Sequence, residues 1–128
     1  MTSASTILVA DDDALLRGLV EHRLTAQGYQ VRTASNGSEA IEAARKHSPD
    51  LIVLDAMMPV MDGFAVLGAL KADAVMSQIP VVMLTALRGQ QDVVGALDQG
   101  ADDYLVKPFM PDELISRISR ILKTKASS

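Results

Sequence analysis

Four consecutive apolar residues, Leu51, Ile52, Val53 and Leu54, run straight into the carboxylate of Asp55, and Ala56-Met57-Met58-Pro59-Val60-Met61-Asp62-Gly63 follows as a loop ending in an Asp-Gly turn. A run this short and this uniformly apolar reads as a strand buried on both faces, which calls for a parallel sheet with helices on either side. In such sheets the ligand crevice opens beyond the C-terminal strand edge, where this strand delivers its acid. Asp55 is the candidate nucleophile.

The pattern recurs along the chain. Thr6-Ile7-Leu8-Val9-Ala10 ends in Asp11-Asp12-Asp13, Val81-Val82-Met83-Leu84 ends in Thr85, and Asp103-Tyr104-Leu105-Val106 delivers Lys107-Pro108. Gln30 to Ala34 is a more polar strand suited to a sheet edge. Between them lie helical periodicities. Asp13 caps a helix carrying Leu16, Leu19, Val20 and Leu24 until Gly28 stops it. Ser38 to Lys46 places Ala40, Ile41 and Ala44 on one face and ends at Ser48-Pro49. Gly63 starts a helix with Phe64, Leu67 and Leu70 that runs through Lys71, and a weaker one spans Gly89 to Gln99 with Val93, Val94 and Leu97. Pro111 to Lys123 closes the fold with Leu114, Ile118 and Ile121 facing in and Ile115 and Leu122 beside them, leaving 124–128 as a polar, frayed tail.

Strands alternating with helices predict an α/β fold: a (βα)5 doubly wound parallel sheet with right-handed crossovers, strand order 2-1-3-4-5, in a flavodoxin-like three-layer sandwich. That order puts strands 1 and 3 at the switch point, where Asp11, Asp12 and Asp55 meet. With 128 residues, 48% apolar and 22% charged, the whole chain 1–128 is expected to be one domain with its ordered core over about 6–123. The absence of cysteine excludes disulfides and thiolate chemistry. A net charge of -4 with scattered bases, and only two Phe and two Tyr, argue against nucleic-acid binding by this chain. No apolar run approaches the roughly 20 residues of a membrane span, and the first residues lack signal-peptide character, so no membrane contact and a cytoplasmic location are expected.

Three carboxylates at one sheet edge repel one another unless a proton or a cation intervenes. A hard divalent ion such as Mg²⁺ answers that, since it takes one or two carboxylates, a carbonyl, waters and the oxygens of an incoming phosphate. Lys107 can then neutralise phosphate oxygens and Thr85 can donate a hydroxyl hydrogen bond to one of them.

The motifs Ile7-Leu8-Val9-Ala10-Asp11-Asp12-Asp13, Leu54-Asp55-Ala56-Met57-Met58-Pro59 with Met61-Asp62-Gly63, Leu84-Thr85-Ala86, and Gly100-Ala101-Asp102-Asp103-Tyr104-Leu105-Val106-Lys107-Pro108-Phe109 stand in that order. Over about Thr6 to Lys123 the chain thereby resembles the receiver domain of two-component response regulators. The resemblance implies that Asp55 accepts a phosphoryl group from a phosphohistidine on a sensor histidine kinase or a histidine phosphotransfer protein. It implies Mg²⁺ held by Asp12 directly, Asp11 through water, Asp55, and the main-chain carbonyl of Met57, with Thr85 and Lys107 binding the phosphoryl group. It further implies a switch in which Thr85 moves towards the phosphate and Tyr104 turns inward, reshaping the surface of the fourth helix, fifth strand and fifth helix. Lys107-Pro108 is expected to be cis, and Gly63 with Asp62 to act structurally.

Homodimerisation through that same surface is a second implied property. Asp102, Asp103, Glu113 and Arg117 match residues used for it, but Val93 stands where a cation would face Glu113, so another partner could use the exposed Val93 instead. Met57 and Leu87 offer no side-chain base to an attacking water, which predicts slow autodephosphorylation. His22 and His47 are expected to face solvent. A metal-dependent phosphatase with an aspartyl nucleophile would want an acid where Met57 stands, and a flavin carrier would want a hydroxyl- and glycine-rich loop after the first strand. A phosphorylation-independent binding module would lack a site residue. No output segment follows Lys123, so a stand-alone receiver and one cut from a longer regulator are both open. The expected activity is a signalling switch that catalyses its own phosphorylation modestly.

Overall fold

The computed structural model describes residues 4–86 and 100–127. Its strands are β1 (Thr6–Ala10), β2 (Gln30–Ala34), β3 (Leu51–Asp55), β4 (Val81–Thr85) and β5 (Asp103–Val106), and its helices α1 (Ala14–Ala26), α2 (Gly37–His47), α3 (Gly63–Ala72) and α4 (Pro111–Ser127). A 3₁₀ turn at Met76–Gln78 links α3 to β4. The helix expected over 89–99 lies outside the described residues.

All strand pairs are parallel and the sheet order is β2-β1-β3-β4-β5, as the doubly wound pattern required. The pleat sends alternate side chains to opposite faces. Leu8, Ala10, Ile52, Leu54, Val81 and Met83 join Ala40 and Ala44 of α2 and Val66, Leu67 and Leu70 of α3 in one core. Ile7, Val9, Leu51, Val53, Val82, Leu84 and Leu105 join Val20 and Leu24 of α1 and Leu114 and Ile118 of α4 in the other. β1, β3 and β4 are covered on both sides, which is why they read as continuous apolar runs. β2 is the exposed edge, and its polar residues Arg32 and Thr33 face water.

Side-chain caps start three helices close behind the strand ends. Asp13 accepts from the N–H groups of Leu15 and Leu16 at 3.0 and 3.2 Å, Asn36 from that of Glu39 at 2.9 Å, and Asp62 from that of Ala65 at 2.9 Å. Each such cap contributes about 1 kcal/mol. The α1 stripe is narrower than its periodicity predicts: Val20 and Leu24 are buried, Leu16 is half-buried, and Leu19 stands 46% exposed. α4 continues past Lys123 to Ser127, because no Gly or Pro interrupts it there. His22 is exposed as expected, whereas His47 is only partly so.

Candidate functional site

Register brings the acids together. Ala10 pairs with Leu54, so Asp11 leaves β1 level with Asp55 at the end of β3. Thr85 pairs with Val106, so Lys107 follows β5 level with the end of β4. One carboxylate oxygen from each of Asp11, Asp12 and Asp55 lies within 4.8 Å of the others. Asp11 and Asp55 are buried, and Asp12 is exposed and opens the group to solvent.

Lys107 bridges the two buried acids, with Nζ 3.1 Å from Asp11 Oδ2 and 3.3 Å from Asp55 Oδ2. One ammonium does not neutralise two carboxylates. Burial first, and the Asp11 charge second, push the Asp55 carboxyl up to about 6 against the pull of the Met57 N–H, which donates to Asp55 Oδ1 at 3.2 Å, and of Lys107. For Lys107 burial alone would lower the pKa; the hydrogen bond to Asp11 and the charges of Asp55 and Asp11 outweigh it and raise it. An all-oxygen set of three acids with surplus negative charge fits a hard divalent cation, which would relieve the repulsion that raises Asp55.

The other expected residues fall around this group. Thr85 is 5% exposed at the edge of β4, and its carbonyl accepts the Lys107 N–H at 2.8 Å. Lys107-Pro108 is cis. Tyr104 is half-buried and packs against the α2/α3 core. Gly63 is buried against the backbone of Asp55: a Cβ there would lie 2.2 Å from the Asp55 carbonyl oxygen. Met57 is 60% exposed. Leu87 and Val93 lie outside the described residues. The residues expected at a dimer face make contacts within the protomer. Arg117 holds both Asp103 oxygens at 2.9 and 3.0 Å, Glu113 at 3.4 Å and the Tyr104 carbonyl at 3.3 Å, while Asp102 accepts the Val81 N–H at 2.8 Å.

The sequence matches the family of the response regulator receiver domain over residues 7–119. The chain belongs to that family. A relative is the probable transcriptional regulator ycf27 of Pyropia yezoensis, 50% identical over 117 residues that are 91% of this chain and 47% of that protein. The receiver domain thus spans about half the length of the curated relatives it matches. Among solved structures, the Francisella response regulator 1452 receiver domain superposes with a TM-score of 0.90 at 35% identity, covering 94% of this chain and 98% of that one. Chemotaxis protein CheY4 of Vibrio cholerae superposes at 0.86 and 35% identity, covering 91% and 98%. Among the described residues of the receiver domain, no helix is long and apolar enough to cross a membrane.

Sequence reasoning passed over two features beside the acids. Arg17 donates to the Asp11 carbonyl at 2.7 Å; its signal was a cation one turn past the Asp13 cap on a helix face otherwise read only for apolar residues. Val60 adopts φ 71° while the Met61 N–H donates to the Pro59 carbonyl at 2.8 Å, a γ-turn of the strained hand, and no local pattern marks a β-branched residue for that. Its side chain is 84% exposed, so it has little packing to lose. Val60→Gly is expected to stabilise the domain by about 1 kcal/mol, the relieved strain exceeding the added chain entropy. Urea unfolding checks this, and a loss of stability would show that the Val60 side chain is itself anchored.

Proposed function

We propose that Asp55 is the phosphoacceptor of this receiver domain, taking its phosphoryl group from the phosphohistidine of a sensor histidine kinase or a histidine phosphotransfer protein. The observation that supports this best is the position of Lys107, whose ammonium lies between the buried Asp11 and Asp55 at the mouth of the sheet edge. An Asp55 oxygen attacks phosphorus in line, the new P–O bond forms as the P–N bond breaks, and the imidazole leaves with the electron pair and takes a proton. Lys107 then exchanges an Asp55 oxygen for the transferred phosphoryl oxygens, and Thr85 donates its hydroxyl to another of them.

Mg²⁺ is the cation we assign to the site; Asp12, Asp55 and the Met57 carbonyl would hold it, Asp11 through water, and it would supply positive charge against that developing on the transferred group. Thr85 and Tyr104 supply the switch: contacts that Thr85 makes only in the phosphorylated state can shift Tyr104 and the β5/α4 surface, where Arg117 already grips the Tyr104 carbonyl. A phosphatase reading is disfavoured because position 57, two past the nucleophile, holds an exposed methionine in place of an acid.

Mg²⁺-dependent labelling by a small phosphodonor, or capture of beryllofluoride, tests the proposal. The wild type should take up one equivalent and Asp55→Asn none. Equal labelling of the two proteins, or no uptake by the wild type, would remove Asp55 from the role.

A further inference from the structure

Beside the acids sits a cation to which the chemistry above gives no task. Arg17, half-buried in α1, donates from Nη1 to the main-chain carbonyl of Asp11 across 2.7 Å, the short end of charge-assisted bonds. That carbonyl belongs to the planar peptide joining Asp11 to Asp12, so its partner sets the direction in which the chain turns into Asp12. Every other polar atom of Asp11 is also held. Its N–H donates to the Ala34 carbonyl at 3.1 Å, Oδ1 accepts from the Asp13 N–H at 2.9 Å, and Oδ2 faces Lys107 at 3.1 Å.

Asp12 differs. Its carboxylate is exposed and, among the described residues, receives no hydrogen bond, so within them the backbone is what directs it into the acid group. A carboxylate of the next strand-to-helix turn feels the Arg17 charge. Glu39 accepts from the N–H and Oγ of Ser35, each at 2.9 Å, and these bonds, with the Arg17 charge contributing, hold its carboxyl below the ordinary range. Ser35 follows Ala34, the residue that receives the Asp11 N–H.

We propose that Arg17 is a positioning residue for the divalent cation, fixing the Asp11–Asp12 peptide so that the exposed Asp12 carboxylate faces the site. The inference rests on the metal reading given above. Charge alone argues the opposite, which makes the matter decidable: removing a guanidinium beside a cation site relieves repulsion and should tighten binding. Loss of a residue that orients a ligand weakens binding, by about 10- to 100-fold in metal sites generally. The lower figure suits an exposed ligand.

Mg²⁺ alone is titrated into metal-free wild type, Arg17→Met and Arg17→Lys, following the amide shifts of Asp12 and Met57 by NMR. Arg17→Met should bind Mg²⁺ about tenfold more weakly than wild type, Arg17→Lys should recover part of the loss, and urea midpoints in EDTA should stay close to wild type. Unchanged or tighter binding by Arg17→Met overturns the proposal. If that variant fails to fold, Arg17→Gln takes its place, with weaker binding supporting the proposal and equal or tighter binding overturning it. A wild type that shows no Mg²⁺ response overturns the metal reading itself, an outcome distinct from binding that is indifferent to Arg17.

Discussion

Gly63→Ala is expected to cost about 3 kcal/mol of folding stability, the upper end of what overpacking does. The added methyl carbon would stand 2.2 Å from the Asp55 carbonyl oxygen and 2.7 Å from the Ala56 Cα. Both obstacles are backbone, and the Gly63 N–H also donates to the Ala56 carbonyl at 3.0 Å, so no side-chain rotation relieves the clash. Either α3 backs away from β3 or the end of β3 shifts, and the second moves Asp55, the proposed phosphoacceptor. Phosphorylation should therefore fall by about 100-fold in whatever fraction stays folded, as for a 1 Å misplacement of a reacting group. Gly18→Ala is the control. Nothing lies within 4 Å of a Cβ at Gly18 in the middle of α1, so the same chemical change there should stabilise by about 0.5–1 kcal/mol. Urea unfolding of both variants reads the sign. A Gly63→Ala protein as stable as wild type would mean that the β3–α3 junction is far softer than its packing indicates.

Asp55→Asn is expected to stabilise the metal-free domain by about 2–3 kcal/mol at pH 7.5, the size that a carboxyl displaced from 3.8 to about 6 represents. The sign follows from proton affinity. The folded state binds the Asp55 proton more tightly than the unfolded chain does, so the group weakens the fold wherever it is ionised. The penalty is complete above about pH 6, shrinks between 6 and 3.8, and is gone below. Asparagine keeps the shape and the Met57 N–H contact without the charge. Glu39 and Asp73, whose carboxyls are held low, act in the opposite direction as pH falls, but both proteins carry them and they cancel in the comparison.

Urea unfolding in EDTA at pH 7.5 and 4.5 should show the gain at the first pH and most of it lost at the second. Adding Mg²⁺ should then narrow the gap at pH 7.5, because a ligand bound only by the folded wild type stabilises it by mass action. Asp55→Asn less stable than wild type in EDTA at pH 7.5 would mean that Lys107 more than compensates both acids.

How far the site was readable in the chain can be judged residue by residue. Asp55, Thr85 and Lys107 each follow a run of strand residues, and Asp11 and Asp12 follow another, so their arrival at one edge needs only parallel strands and the doubly wound order. The cis bond before Pro108 came from family resemblance, and the local pattern does not contain it. Leu19 shares the helical spacing yet stands exposed, because that spacing places a residue on a stripe without saying how wide the covering sheet is. Asp103, Glu113 and Arg117 were matched by position, and position alone does not contain the bonds by which Arg117 reaches Asp103, Glu113 and the Tyr104 carbonyl of the same chain.

By itself the sequence determined the alternation of strands and helices, the two-sided core and the edge that carries the acids. Those properties are local and periodic: period 2 or 3.6 in the apolar residues, with caps and breakers between them, survives whatever the chain packs against. Only the tertiary structure decided that one Lys107 ammonium serves both Asp11 and Asp55, that burial and the neighbouring Asp11 charge raise the Asp55 pKa, that Arg17 holds the Asp11 carbonyl, and that Gly63 has no room for a methyl group. Each depends on distances of a few ångströms between segments far apart in the chain, set by register and close packing, where a one-residue slip would exchange the faces of a strand.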